Sequence, residues 1–228
     1  MSVGEESPSS AAQRRWETLA ARVAQMREAI PYVTANTELL ESRRSQIAEA
    51  AYAAFCANGF RSTSVSDVAG LAGMDKRTLY DYVGDKPDLL YLVFLHFLPD
   101  QVKRMGSALR DRDDPVMQLQ RMGRAHLRFL AEYPGLGLLY YREMRYLHRE
   151  QIRDLLWLIG ETITLYRTAI ERGAAAGLIV TDDAHVAARV FAAGLDMPSL
   201  TAWDLASSDP KIVEREILRF ALDGLRAR

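Results

Sequence analysis

The sequence predicts an all-α protein: an N-terminal helix-turn-helix three-helix domain followed by a larger C-terminal helical domain. Three observations predict it. Apolar residues recur at three- and four-residue spacing through every long segment. No run alternates convincingly with period two, and no repeat of 20 to 50 residues is present. Helix-starting residues (Asn36, Ser64, Asp75, Asp85, Asp114, Asp209) and helix-stopping ones (Gly59, Gly73, Pro134-Gly135, Gly177) alternate along the chain. The expected division is an extension over 1–35 with one amphipathic helix, a helix-turn-helix domain over 36–90, and the C-terminal domain over 91–228.

Residues 1 to about 12 are small and polar and read as disordered. From Gln13 to Ile30, Trp16, Leu19, Ala20, Val23 and Met26 share one helical face, and Pro31 ends the run. Two readings of this helix stay open. It packs on the protein body or on a partner subunit, or it is an arm whose arginines (Arg14, Arg15, Arg22, Arg27) touch DNA phosphates or the minor groove. A longer helix runs from Asn36 or Thr37 to Asn58-Gly59, with Ile47, Ala50, Ala51, Ala54 and Phe55 as its inner stripe. Cys56 reads as a small packing residue and Phe60 as the plug of a small core.

Two short helices follow. The first spans Val65 to about Ala72, with Ser64 as cap and Asp67 in the capping-box position, and Val68, Leu71 and Ala72 on one face. Gly73 supplies the sharp turn. Asp75 caps the second, Lys76 to Tyr82, in which only Leu79 and Val83 read as inward-facing. Asp85 then caps a helix from Lys86 to about Arg104, with Pro87 in its first turn and Leu89, Leu90, Val93, Phe94 and Phe97 on its apolar side. Arg110 to Asp114 is a charged loop. Asp114-Pro115 opens a helix ending near Tyr133, and a short one follows in the segment LGLLYYREMRYLH. A long helix runs from about Glu150 to Ala176. Asp182 or Asp183 caps the next, to Trp203, with Pro198 as a kink, and Ser208-Asp209-Pro210 opens the last. About ten helices result.

The second short helix leaves a cationic, hydroxylic and aromatic surface, the kind a DNA major groove accepts. Lys76, Arg77, Thr78 and Tyr80 lie at its start and exposed side. Arg77 can hold a guanine edge through two hydrogen bonds, a pair that discriminates by ~1–3 kcal/mol per base. Lys76, Thr63 and Tyr82 suit phosphates, and Lys86 stands where free backbone N–H groups favour one.

Asn58-Gly59-Phe60, Thr63-Ser64-Val65, Asp67-Val68-Ala69, Ala72-Gly73, Thr78-Leu79-Tyr80, Lys86 and Leu89-Leu90 resemble the DNA-binding domain of the TetR family of repressors over roughly residues 43 to 92. Asp75, Arg77 and Val83 depart from the usual serine, glycine and phenylalanine, which bears on the operator read and not on the fold. The resemblance implies DNA contacts at Thr63, Lys76, Thr78, Tyr80, Tyr82 and Lys86. It also implies a homodimer reading palindromic double-stranded operator DNA, paired through the last two long helices in a four-helix bundle. The other reading of those two helices is that their apolar faces close the subunit's own core.

Composition bounds the function. The net charge is −1, and between Arg43 and Lys86 six Lys/Arg meet five Asp/Glu, so the DNA reading rests on the motif and not on bulk charge. The single cysteine excludes an internal disulfide and suits a reducing cytoplasm. No uncharged run approaches the ~20 residues of a membrane helix, and the N-terminus lacks a signal pattern. His96, His126, His148 and His185 show no metal-ligand spacing. There is no nucleophile elbow or phosphate-cradling glycine loop, so no enzyme and no cofactor is expected.

The middle helices carry Met122, His126, Phe129, Tyr140, Tyr141, Met144, Trp157, Tyr166 and Phe191. Such side chains suit an adaptable apolar ligand pocket, and they equally suit a plain core. The segment 140–147 resembles that of sterol- and fatty-acid-catabolism regulators of the TetR family, some of which respond to acyl-CoA. That resemblance implies a small-molecule effector whose phosphates meet Arg142, Arg145 or Arg149. The expected function is a ligand-responsive repressor, with Lys86–Arg104 as lever. The competing expectation is an effector-independent DNA-binding protein whose C-terminal half is a filled scaffold.

Overall fold

The computed structural model describes residues 8–33, 36–110 and 113–226. The described helices are α1 (Pro8–Glu28), α2 (Thr37–Asn58), α3 (Val65–Leu71), α4 (Lys76–Tyr80), α5 (Lys86–Ser107), α6 (Pro115–Glu132), α7 (Leu136–Glu143), α8 (Arg149–Ala175), α9 (Ala184–Leu200), α10 (Ala202–Leu205) and α11 (Pro210–Asp223), with a 3-10 turn at Met144–Tyr146. Among the described residues the one extended pairing is an isolated bridge between Ile179 and Arg226. The all-α expectation therefore holds. Two compact units divide the chain, one made of 20–99 and 135–157, the other of the residues up to Leu19, 100–134 and 158 onward.

In the first unit α2 is the central element. Asn36 starts it by accepting the Leu39 N–H at 2.9 Å. Its face of Ile47, Ala48, Ala51, Ala54 and Phe55 is buried, and α2 packs on both α3 and α7. The alanines bring α3 close. Val65, Val68 and Ala69 face inward, but Leu71, expected inside, is 63% exposed. It is the last residue of α3, and the turn at Gly73 (φ 64°) carries the chain away before anything covers it. Val23, Met26 and Ile30 are buried, so this part of α1 packs on its own chain. Arg22 meets Asp154 at 3.4 Å, and Arg27 meets Glu41 at 2.6 Å and the Leu95 carbonyl at 3.1 Å. The helix begins at Pro8, not Gln13. Proline is tolerated in a first turn, and the small residues after it permit helix where their polarity suggested disorder. The expectation for residues 1–7 lies outside the described residues, as do positions 111 and 112 of the charged loop.

In the second unit α6, α9 and α11 pack on one another. Asp114 caps α6 through the Met117 N–H (2.8 Å), and Asp183 caps α9 through those of His185 (2.8 Å) and Val186 (3.0 Å). Gly123 lets α6 approach: a Cβ there would lie 2.8 Å from a Leu218 methyl. α9 ends at Leu200 and not Trp203, because Thr201 leaves the helix and turns its hydroxyl back to the Met197 carbonyl at 2.9 Å. Pro198 lies inside α9, and Pro99 inside α5.

Candidate nucleic-acid interface and ligand clefts

α3 and α4 are held by short-range bonds that the sequence encodes. Ser64 and Asp67 exchange them, the Asp67 N–H to Ser64 Oγ at 3.1 Å and the Ser64 N–H to Asp67 Oδ2 at 2.7 Å. These bonds hold the Asp67 carboxyl below the usual carboxylate range. At α4 the Thr78 N–H donates to Asp75 Oδ1 (2.9 Å) and the Thr78 hydroxyl to Asp75 Oδ2 (2.7 Å), and the same depression follows. Leu79 and Val83 are fully buried and pin α4 to the unit. Lys76 and Arg77 point outward, Tyr80 is 40% exposed, and the Lys76 ammonium lies 6.0 Å from the Tyr80 ring centre.

The remaining predicted DNA contacts are placed otherwise. Thr63 is buried, its hydroxyl donating to the Gly59 carbonyl at 2.8 Å and the Ala54 carbonyl at 3.2 Å, where it closes the end of α2. Tyr82 is 6% exposed, so the inward side of this segment includes it together with Leu79 and Val83. The α4 helix ends at Tyr80, and the turn that follows rotates Tyr82 into the core. Lys86 is half-buried, donates to the Arg61 carbonyl at 3.2 Å and lies 4.4 Å over the Phe60 ring, and burial moves its pKa down.

Residues 140–151 fasten to Phe60 and to the start of α5. Phe60 stacks on Tyr146 at 5.0 Å, His148 Nε2 meets Asp85 Oδ2 at 2.8 Å, and the Gln151 amide donates to Asp88 Oδ1 at 2.6 Å. Asp88 is buried and also accepts the Gly84 N–H at 2.9 Å. Asp85, Asp88 and His148 lie close enough to ligate a cation, but each already serves one of these bonds.

Arg44 is the structural residue that the sequence reading missed. It is 3% exposed and its guanidinium donates to three carbonyls: Arg27 (2.6 Å) in the last turn of α1, Ile30 (2.7 Å) just past it, and Tyr82 (3.2 Å) past the end of α4. Tyr32 lies 5.1 Å from it. Its spacing to Ile47, Ala48 and Ala51 puts it on the buried stripe of α2, and that spacing was the available signal.

The predicted ligand residues divide between the units. Tyr140, half-buried against Phe94 (6.3 Å, edge-on), the half-exposed Tyr141, Met144, Arg145 and Trp157 belong with the helix-turn-helix. Arg145 lies over the Tyr146 ring at 5.0 Å and is exposed, as are Arg142 and Arg149. Met122, His126, Phe129 and Phe191 belong to the other unit and are buried there. His126 Nδ1 meets the Tyr166 hydroxyl at 2.9 Å and its Nε2 meets Asp196 at 3.1 Å, and Tyr166 packs on Phe191 at 5.0 Å. Burial and Asp196 push the Tyr166 hydroxyl pKa up.

Of these residues Phe191 lines the cleft between α9 and α11, and Met122 lines another, of about 560 Å³. Its floor is Met122, Leu109, Leu165 and Ala169, and Arg14 and Arg15 of α1 and Arg172 of α8 stand around it. Arg15 is paired with Glu161 (2.6 Å), whereas Arg172 donates to the neutral amide of Gln118 (3.1 Å). The cleft between α9 and α11 has a volume of about 820 Å³. On α9, Val186 (55% exposed), Val190 (67%), Met197 and Leu200 recur along one stripe, and Phe220 on α11 is 79% exposed. Apolar side chains so arranged mark a surface built to be covered.

Comparison with known proteins agrees with this geometry. Residues 47–91 match the family described as bacterial regulatory proteins, tetR family, and residues 112–198 match the tetracyclin repressor-like C-terminal domain. The HTH-type transcriptional regulator HbdR of Aromatoleum sp. (strain CIB) is 28% identical over 60% of this chain, a stretch spanning 59% of HbdR. The HTH-type transcriptional repressor NicS of Pseudomonas putida KT2440 is 26% identical over 80% of this chain and 92% of its own length. The fatty acid metabolism regulator protein of Bacillus subtilis (strain 168) is 26% identical over 49% of this chain and 59% of its own. A tetR-family regulatory protein from Rhodococcus RHA1 shares the fold, with a TM-score of 0.75 at 22% identity over 82% of this chain and 98% of that one.

Proposed function

The chain belongs to the TetR family of transcriptional regulators, and on that premise we propose that it is a cytoplasmic, non-enzymatic repressor. It binds palindromic operator DNA as a homodimer and is released by a small effector with an apolar portion. The observation that carries this reading is α4: a short helix capped by Asp75 and pinned by Leu79 and Val83, with Lys76, Arg77 and Tyr80 outward. One such helix reads only a few base pairs. Two, a helical turn of DNA apart (~34–36 Å), read a palindrome. The exposed apolar stripe of α9 and α11 is the surface through which a second copy supplies the other helix.

The apolar part of the effector lies in the 560 Å³ cleft, on Met122, Leu109 and Leu165, beside the Arg172 guanidinium. An acyl-CoA ester has that polarity, and the relative that regulates fatty acid metabolism supports the class. Such a ligand shifts the dimer only by its differential affinity for the DNA-competent and DNA-incompetent shapes. The packed state of His126, Phe129, Tyr166 and Phe191 favours one other reading, a DNA-binding protein whose scaffold needs no effector. The experiment is a gel shift on the operator with acyl-CoA esters of increasing chain length, alongside Arg77→Ala and Tyr80→Ala. Both variants are expected to stay folded and lose operator affinity. Unchanged affinity in both removes the α4 assignment, and an operator complex indifferent to every ester, together with no small molecule copurifying by mass spectrometry, favours the effector-independent reading.

A further inference from the structure

A third cleft, of about 370 Å³, opens between the end of α5 and α6. Five arginines, Arg104, Arg110, Arg121, Arg124 and Arg128, stand around a floor of Ala108 and Ala125, and no carboxylate is among its described lining residues. The spacing 121, 124, 125, 128 puts three of the guanidiniums and one alanine on one face of α6. Like charges gathered on one face repel unless something negative sits among them.

The surrounding acids answer this charge only in part. Arg104 is held by Asp100 (2.7 Å) and Glu132 (3.1 Å), and Arg121 by Asp113 (2.5 Å). Glu214 is shared between Arg124 at 2.9 Å and Arg128 at 3.5 Å. Among the described residues Arg110 meets only the Ser107 and Leu109 carbonyls, at 3.1 and 2.9 Å. Those carbonyls lie at and just past the end of α5, and a cation on them offsets the negative end of that helix. A guanidinium offers five N–H donors, and a bidentate pair with a carboxylate engages two of them, so donors remain for the cleft. The two alanines let a ligand settle between the planar forks, whose geometry matches phosphate oxygens in pairs.

We infer that this cleft binds a compact, multiply phosphorylated anion of the nucleotide class. The effector reading supplies one such group, the phosphorylated adenosine diphosphate end of a coenzyme A ester, and to that extent the inference rests on it. Arg110 and Arg128 are the contacts to test, because both are exposed and neither is the sole partner of a carboxylate.

The experiment is titration calorimetry on the full chain with free coenzyme A, ADP and inorganic pyrophosphate. Coenzyme A is expected to bind saturably and more weakly at high salt. The double variant Arg110→Ala/Arg128→Ala should weaken it about tenfold or more, as two charge-assisted phosphate contacts imply. It should do so with an unchanged melting temperature, Arg128→Lys should retain part of the affinity, and Arg153→Ala, an exposed arginine elsewhere, should retain all of it. The inference is overturned if none of the three probes binds saturably, or if the double variant binds coenzyme A as the parent does. It is equally overturned if pyrophosphate binds as tightly as coenzyme A, or if the double variant loses only duplex DNA. Coenzyme A esters that bind here yet leave operator affinity unchanged sink the effector reading alone. An ester that releases operator DNA equally from parent and double variant sinks the phosphate site alone.

Discussion

Removing the Arg44 side chain tests how the recognition helix is anchored. The buried guanidinium donates to three carbonyls, those of Arg27, Ile30 and Tyr82. Burial lowers its pKa from the usual arginine value, yet arginine starts so high that it stays charged at neutral pH. A bond from a charged donor contributes ~1.5–3 kcal/mol. Tyr32, which flanks the site, is 45% exposed, so water can reach part of the space an alanine leaves. Arg44→Ala should therefore cost about 3–5 kcal/mol and not the full sum of three bonds. At ~2–4 °C per kcal/mol for a chain of this size, the midpoint falls by about 6–20 °C. Arg44→Lys keeps the charge but not the planar fork, so its loss should be roughly half as large. The assay is thermal unfolding by circular dichroism, paired with operator binding at low temperature where both variants remain folded. Operator affinity should fall as well, because the Tyr82 carbonyl is the tether just past α4. A midpoint lowered by less than about 2 °C, with operator affinity intact, would refute the reasoning.

Gly135→Ala should destabilise by about 1–3 kcal/mol, since φ there is 96° and the new Cβ would lie 2.9 Å from Cys56 Sγ; Cys56→Ala should recover only part, as the backbone strain remains, and a double-mutant cycle of urea midpoints reads this. Phe220→Glu should leave the subunit folded and convert the dimer to a monomer in light scattering, because that side chain is exposed within the subunit; an unchanged dimer would relocate the interface. The Asp75 carboxyl is held below its ordinary value, first by the Thr78 N–H, so its capping contribution is complete above the unfolded value near pH 4 and disappears as pH falls through the depressed folded value. Asp75→Asn keeps the cap without the charge, so the urea midpoint of the parent should fall more steeply than that of the variant below about pH 4, and parallel curves would contradict the assignment.

The sequence by itself determined where most of the helices begin. Ser64, Asp75, Asp114, Asp183 and Asp209 all cap as their positions imply, because a cap is a bond between a side chain and an N–H two or three residues away. The helix-turn-helix and the outward Lys76, Arg77 and Tyr80 were legible for the same reason: two caps, one glycine turn and two apolar pins specify them locally. Only the tertiary structure decided which way the remaining side chains face. Leu71 came out exposed, while Thr63 and Tyr82 went inside, because burial is set by a neighbouring helix that no local spacing names. The same holds for Arg44, whose three acceptors lie 14 to 38 residues away. It also holds for residues 140–151, which pack on Phe60 and the start of α5 although the chain order places them in its C-terminal half. The five-arginine cleft was equally hidden, since α5 and α6 have to meet before their arginines form one surface.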